Sequence, residues 1–221
     1  MENRLHLTEM VLLLAVRPQK GGITWLAGNH LDLVLAGATF LEMEMAGAVV
    51  IREGRIEVLP ERSKDPFHAG LQEKLAARGE PRKISYWLGG LRLSPSKIKA
   101  SVLGALESGR EIRLEERRFL VFRWKKPYLM PGHHAGQVID QVKRGLSSFP
   151  REKEMVALLL MLDVAGLLPR VWPDRFTRRN ARTKIKQIKS DLAGNPEMAS
   201  IAAVIKAVER AKTQRHAAST V

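Results

Sequence analysis

Apolar residues in this chain recur mostly at helical rather than alternating spacing. Thr8 and Glu9, followed by Met10, Val11, Leu12, Leu13 and Leu14, predict a first helix capped by Thr8 and stopping before Pro18. A loop through Gly21 and Gly22 leads to Trp25. Leu31, Val34, Leu35, Ala38, Leu41 and Met45 lie on one helical stripe, which predicts an amphipathic helix over residues 31–46 ending at Gly47. Residues 49–51 and 56–58 flank Glu53 and Gly54, the pattern of a short hairpin in which glycine supplies the positive φ. Beyond a charged, proline-containing linker at residues 60–66, helices are predicted at residues 67–77 and, as a short turn, through Ile84, Trp87 and Leu88. Ser94 and then Pro95 open a helix whose Ile98, Val102, Ala105 and Leu106 share a face, closed by Gly109.

A second hairpin is predicted from residues 112–114 and 117–124, turning at the polar pair Glu115 and Glu116. In that reading Phe119 and Val121 point one way while Leu120, Phe122 and Trp124 point the other, leaving the strand apolar on both faces. Lys125 and Lys126 follow at once, before Tyr128, Leu129 and Met130. Aromatic rings at headgroup depth with ammonium groups on phosphates would suit a membrane interface; an edge strand packed on a neighbouring helix reads equally well. The remainder is predicted helical over residues 137–146, 153–168, 175–192 and 196–212. In residues 175–189 the cations Arg178, Arg179, Arg182, Lys184, Lys186 and Lys189 outnumber the apolar positions, so one narrow face packs inward and the rest is basic surface.

Length and charge narrow the class. The 221 residues, 45% of them hydrophobic, suffice for one sizeable core. A net charge of +14 and a pI near 10.4 favour phosphate-bearing partners, whether nucleic acid or anionic lipid. The absence of cysteine excludes disulfides, thiolate catalysis and cysteine-ligated metals. The opening MENRLHLTEM lacks the apolar stretch of a secretory leader, which predicts a cytoplasmic protein. The longest apolar run, residues 155–168, is interrupted by Asp163 and falls short of the roughly 20 residues that span a bilayer. Membrane contact is therefore expected to be peripheral.

No catalytic constellation emerges, and the expectation is a non-enzyme without cofactor or metal. His133 and His134 are adjacent, so a helix would point them apart. Gly21, Gly22, Gly89 and Gly90 lack the lysine and hydroxyl that complete a phosphate loop. Asp163 reads as a buried acid bonded to a neighbouring segment, Glu42 and Glu44 as helix surface or a structural ion pair. Lys97 and Lys99, in the first turns of a helix, suit an anion site with the free amides there. A helix followed by a basic hairpin, as over residues 95–126, is also the layout of a winged-helix nucleic-acid module. Those two lysines lack the Arg, Asn and Gln that read base edges.

The strings LTEMVLLLAV, FLEMEMAGAVVI, REIRLEERRFLVF, KEMVALLLMLDVAGLL and ARTKIKQIKSDL, in this order and spacing, resemble the Golgi phosphoprotein 3 family. The resemblance implies a single mainly α domain over residues 7–212, with residues 1–6 and 213–221 as short flexible termini. Its fold would be a helical bundle around the central apolar helix at residues 153–168, with short β-hairpins, one hydrophobic and protruding. It also implies binding to membranes rich in phosphatidylinositol 4-phosphate. By that resemblance Trp25 falls within two residues of a headgroup-binding tryptophan, and Phe122 and Trp124, ahead of Lys125 and Lys126, fall in a membrane-contacting hairpin. A helical arginine of the family falls at Ala36, and a pair of arginines three apart falls at Ser96, beside Lys97, and at Lys99. Losing guanidinium groups removes bidentate phosphate recognition and puts headgroup selectivity in question. The arginine-rich segment that precedes the family's first helix has no counterpart before Leu7, so coat binding is not carried over, and the departures suggest a prokaryotic relative.

The expected function is peripheral binding of anionic membrane lipid through Trp25, Lys97, Lys99 and the hairpin residues Phe122, Trp124, Lys125 and Lys126. The alternatives are a winged-helix-like nucleic-acid-binding protein and an adaptor for cytosolic peptide tails, and self-association through the apolar hairpin stays open.

Overall fold

A computed structural model describes residues 5–28, 30–89, 95–148, 150 and 152–218. The chain opens with α1 (Leu7–Ala15), α2 (Trp25–Gly28) and α3 (Leu31–Met45), followed by β1 (Val49–Arg52) and β2 (Arg55–Val58). Next come α4 (Pro66–Ala76), β3 (Arg82–Lys83), α5 (Ile84–Leu88) and α6 (Pro95–Ser108), then the hairpin of β4 (Ile112–Phe119) and β5 (Phe122–Leu129). The chain continues through α7 (Ala135–Ser147), α8 (Lys153–Val164), α9 (Leu168–Val171), α10 (Arg175–Asp191) and α11 (Ala199–Ala218). The fold is mainly helical, with two small antiparallel sheets.

Helix α8 is the centre of the bundle. Each residue from Met155 to Leu162 is buried, and α1, α3, α7, α10 and α11 pack around it. A helix apolar on every side can only be stable inside other helices. Gly166, at φ 71°, ends this apolar stretch earlier than periodicity predicts, and α9 restarts it at Leu168. Helix α3 is likewise buried from Leu33 to Met43 rather than amphipathic, because it too is enclosed on all sides. At its far end, α11 runs on to Ala218, through residues 213–218 expected to belong to a flexible tail.

The cap of α1 is not Thr8. His6 precedes the helix and its amide donates to Glu9 Oε2 at 2.8 Å. Thr8 lies buried within the first turn, where its amide and hydroxyl donate to Glu42 Oε1 at 2.7 and 3.0 Å. Glu42 is therefore a buried carboxylate that satisfies the free amide end of α1 from α3, with His68 Nε2 of α4 3.4 Å from its other oxygen. Asp65 caps α4, accepting from the His68 amide at 2.7 Å, while the predicted cap Ser94 of α6 lies outside the described residues.

The first hairpin turns at Glu53 and Gly54, both at positive φ, as expected. Its sheet gains the two-residue strand β3, too short to leave a pattern in the sequence. The second hairpin departs from expectation. Glu115 and Glu116 lie within β4, opposite Lys126 and Lys125, and the turn falls at Leu120 and Val121. The strands are eight residues each, with Phe119 facing Phe122 at the end.

Candidate functional site

The base of the second hairpin is fastened to the bundle. Ile112 and Pro127 are buried, and Leu114 and Leu129 half-buried, against the core. Glu107 of α6 accepts from the Leu114 amide at 3.0 Å, and the Glu111 carbonyl accepts from the Met130 amide at 3.0 Å. The buried Glu111 carboxylate accepts from the His134 amide at 2.8 Å and pairs with His134 Nδ1. On the other side the Gly21–Gly22 turn docks on β5, where the Gly22 amide donates to the Pro127 carbonyl at 2.6 Å. Gly21 sits at φ 57° against the Tyr128 ring, and a Cβ there would penetrate the ring.

Beyond this base the hairpin projects. Pairing of Arg113 with Tyr128, Glu115 with Lys126, Arg117 with Trp124 and Phe119 with Phe122 puts these eight side chains on one face. Arg113 and Arg117 both reach Glu115 at 2.8 Å. Arg117 also donates to the Tyr128 hydroxyl at 2.8 Å, and the Lys126 ammonium sits 5.0 Å from the ring centroid. Hydrogen bonds from Lys126 and Arg117 hold the Tyr128 phenol below its ordinary pKa. This cluster stiffens the stem of an otherwise two-stranded ribbon, which alone would be marginal.

The tip is apolar and open to solvent. Phe119 is 66% exposed, Val121 84% and Phe122 68%, with Leu120 between them and Trp124 half-exposed one step down the same face. Around and below them stand Arg117, Arg118, Arg123, Lys125 and Lys126. Thus Phe122 and Trp124 share a face with Phe119, as the sequence reading did not expect, because moving the turn changes which residues are neighbours. Reading the turn at Glu115–Glu116 also hid Leu120 and Val121 as tip residues. The available signal was symmetry: Phe119 and Phe122 bracket two residues at the centre of two equal runs.

Of the remaining expected residues, Trp25 is 82% exposed on α2, which rests on the α8–α9 turn through the Leu26 carbonyl beside Gly166. Lys97 is exposed and Lys99 partly exposed in the first turns of α6. Nine residues of helix, about 14 Å, separate Lys99 from the end of α6 that feeds the hairpin. Among the described residues, no hydrogen bond or ion pair joins Lys97 or Lys99 to Trp25 or to β5. Ser96 is exposed, whereas Ala36 is buried within α3, so a phosphate group could not reach it.

Elsewhere, β3 pairs only with Arg55 and Ile56, leaving β2 open beyond them. A cleft of about 640 Å³ there runs between β2 and α4, with Ile56, Val58 and Leu75 in its wall and Glu57, Glu73 and Glu80 among its lining. Among the described residues no three His, Asp or Glu side chains are placed to hold a metal ion. His133 instead accepts from the Ala135 amide. No helix of the described residues is long and apolar enough to cross a membrane.

The family model described as Golgi phosphoprotein 3 (GPP34) matches residues 7–210. Comparison with curated proteins returns no match.

Proposed function

The chain belongs to the Golgi phosphoprotein 3 family, and from that premise we propose that it is a non-enzymatic peripheral membrane protein that docks on anionic bilayers from the cytoplasm. The observation that carries this reading is the exposed apolar tip, Phe119 to Phe122 with Trp124, inside a collar of Arg117, Arg118, Arg123, Lys125 and Lys126. A stiff stem lets the tip enter the acyl boundary while the collar meets lipid phosphates. Each cation near an anionic surface contributes about 1 kcal/mol, less for Arg117, which is paired with Glu115, and for Lys125 and Lys126, which stand opposite Glu116 and Glu115; the collar and the inserted tip side chains together then support binding in the micromolar range or weaker. Trp25, Lys97 and Lys99 are further contacts in this reading. Because Ala36 stands buried where the family's helical arginine falls, charge rather than headgroup identity governs binding, and phosphatidylinositol 4-phosphate is preferred only weakly over other anionic lipid at equal charge.

Liposome co-sedimentation over a salt series tests this. The protein is expected to sediment with anionic vesicles at low salt, less at high salt, and not with neutral ones. Trp124→Ala and Phe119→Ser should each weaken binding about tenfold or more, at unchanged helical content. Equal sedimentation of these variants and the parent would sink the reading.

A second reading, an adaptor for peptide tails of membrane proteins, is favoured by the cleft beside the open stretch of β2, where Glu57, Glu73 and Glu80 are paired with Arg52, Arg62 and Arg82. An extended peptide could pair with that edge through its backbone, and a basic one would have to displace those arginines. Loss of peptide binding in a Glu57→Gln, Glu73→Gln variant would support it, and unchanged binding would exclude this cleft.

A further inference from the structure

We propose that α10 is a docking surface for duplex DNA, distinct from the hairpin and independent of the membrane reading. The helix buries only Ala181, Ile185 and Ile188, so more than half of its circumference faces outward. At 3.6 residues per turn, Arg175, Arg179, Arg182, Lys186 and Lys189 fall on one stripe, and all are exposed. The neighbouring stripe carries Phe176, Asn180, Thr183, Gln187 and Ser190, also exposed. On its other side, Lys184 and, from α7, Lys143 line a cleft of about 430 Å³ that also contains Asn180 and Thr177. A row of amides and hydroxyls thus lies between two sets of cations.

That order is the chemical order of a DNA major groove, where base edges lie between two phosphate strands. The groove is about 12 Å wide and accepts an α-helix, and Asn, Gln and Thr are the side chains that pair with base edges. The cationic stripe is about 21 Å long, some six base pairs at 3.4 Å each. The major groove of A-form RNA is too narrow for the same approach. A bilayer would call for apolar residues between the cations, and Phe176 alone on this face is both large and apolar. Acidic neighbours are few. Glu209 pairs with Lys189, Asp163 lies half-buried near Arg182 and Lys189, and Asp191 closes the helix. Arg175, Arg179 and Lys186 have no acidic partner among the described residues. The first turn is held in place by Asp174, which caps it, and by Arg178, which donates to the Trp172 and Pro173 carbonyls at 3.0 and 2.7 Å.

The test is fluorescence anisotropy of a labelled 20-base-pair duplex with the full chain from about 50 to 200 mM salt, with anionic vesicles as a parallel arm. The variants are Arg179→Gln, Arg182→Gln, Lys186→Gln combined, and Phe122→Ser, Trp124→Ser combined. Each released phosphate contact removes about 0.9 from the slope of log affinity against log salt, so the helix variant should lose up to about 2.7 and bind DNA at least about tenfold more weakly. The hairpin variant should bind DNA like the parent while losing vesicles. Absence of DNA binding by the parent at the lowest salt, or an unchanged slope in the helix variant, overturns the proposal. So does a helix variant that loses vesicle binding as much as DNA binding, since α10 would then be a general anion surface. Because the DNA arm does not involve the hairpin, failure of the membrane reading leaves it intact.

Discussion

Leu120 occupies the left-handed region at φ 54°, the first central position of a two-residue hairpin turn. Such turns ordinarily carry glycine there, because a side chain in that region costs about 1–2 kcal/mol. Leucine instead keeps an isobutyl group at the most forward point of the tip. Strain of this kind persists only where the surroundings hold it, and here the cross-strand cluster around Tyr128 fastens the stem. Leu120→Gly should therefore leave the urea midpoint unchanged or somewhat raised, since relief of strain is only partly offset by about 0.5–1 kcal/mol of added chain entropy. Vesicle affinity should fall about tenfold or more, the value of about 1.5–3 kcal/mol for burying a leucine side chain. An unaltered affinity in co-sedimentation would remove Leu120 from the contact.

Among the elements, the crossing of α3 over α11 depends on Gly37. A Cβ at that position would stand 2.5 Å from Val208 Cγ2 and 3.2 Å from Val204 Cγ1, two buried, stiff side chains. Gly37→Ala gains about 1 kcal/mol of helix propensity but overpacks the crossing at a cost of about 1–3 kcal/mol. The expected net effect is a loss of up to about 2 kcal/mol, read as a Tm lowered by a few degrees in a thermal melt. The sequence pattern located α3, α6 and α8 because apolar spacing and the Pro95 and Gly47 punctuation report helices directly. It did not reveal that α3 is enclosed on every side, because burial depends on what packs against a face. The hairpin β1–β2 was legible from Gly54, whereas β4–β5 was misplaced because its turn, Leu120–Val121, contains no Gly, Asn or Pro, while Glu115–Glu116 imitates a polar break. The interleaving of aromatic residues and lysines, with the family resemblance, singled out Phe122, Trp124, Lys125 and Lys126, but the face that Phe122 and Trp124 share with Phe119 required the register.

At the scale of the whole molecule, residues 186 positions apart meet where α11 closes on the start of α3. Lys212 donates to the Val164 carbonyl at 2.9 Å, Arg215 reaches Asp32 at 2.7 Å, and His216 Nε2 lies 2.8 Å from Nε2 of the buried His30. Between two imidazole nitrogens at that distance there is room for one proton, so one ring donates and the other accepts. Burial, then the neighbouring His216, Lys212 and Arg215, holds the His30 pKa below its ordinary value, against the smaller pull of Asp32. The linkage follows in sign. Above the unfolded value of about 6.5 both states are neutral at this residue and the contact contributes fully. As pH falls below that value the unfolded chain takes up its proton first, and stability is lost until the depressed native pKa is passed. The urea midpoint should therefore drop between pH 7.5 and 5.5, and His30→Gln, which keeps a donor and an acceptor without titrating, should flatten that drop. Exposed Trp25, on α2 just before His30, should then show an acid-dependent change in fluorescence that His30→Gln removes. A variant that titrates like the parent would leave the α3–α11 contact insensitive to pH.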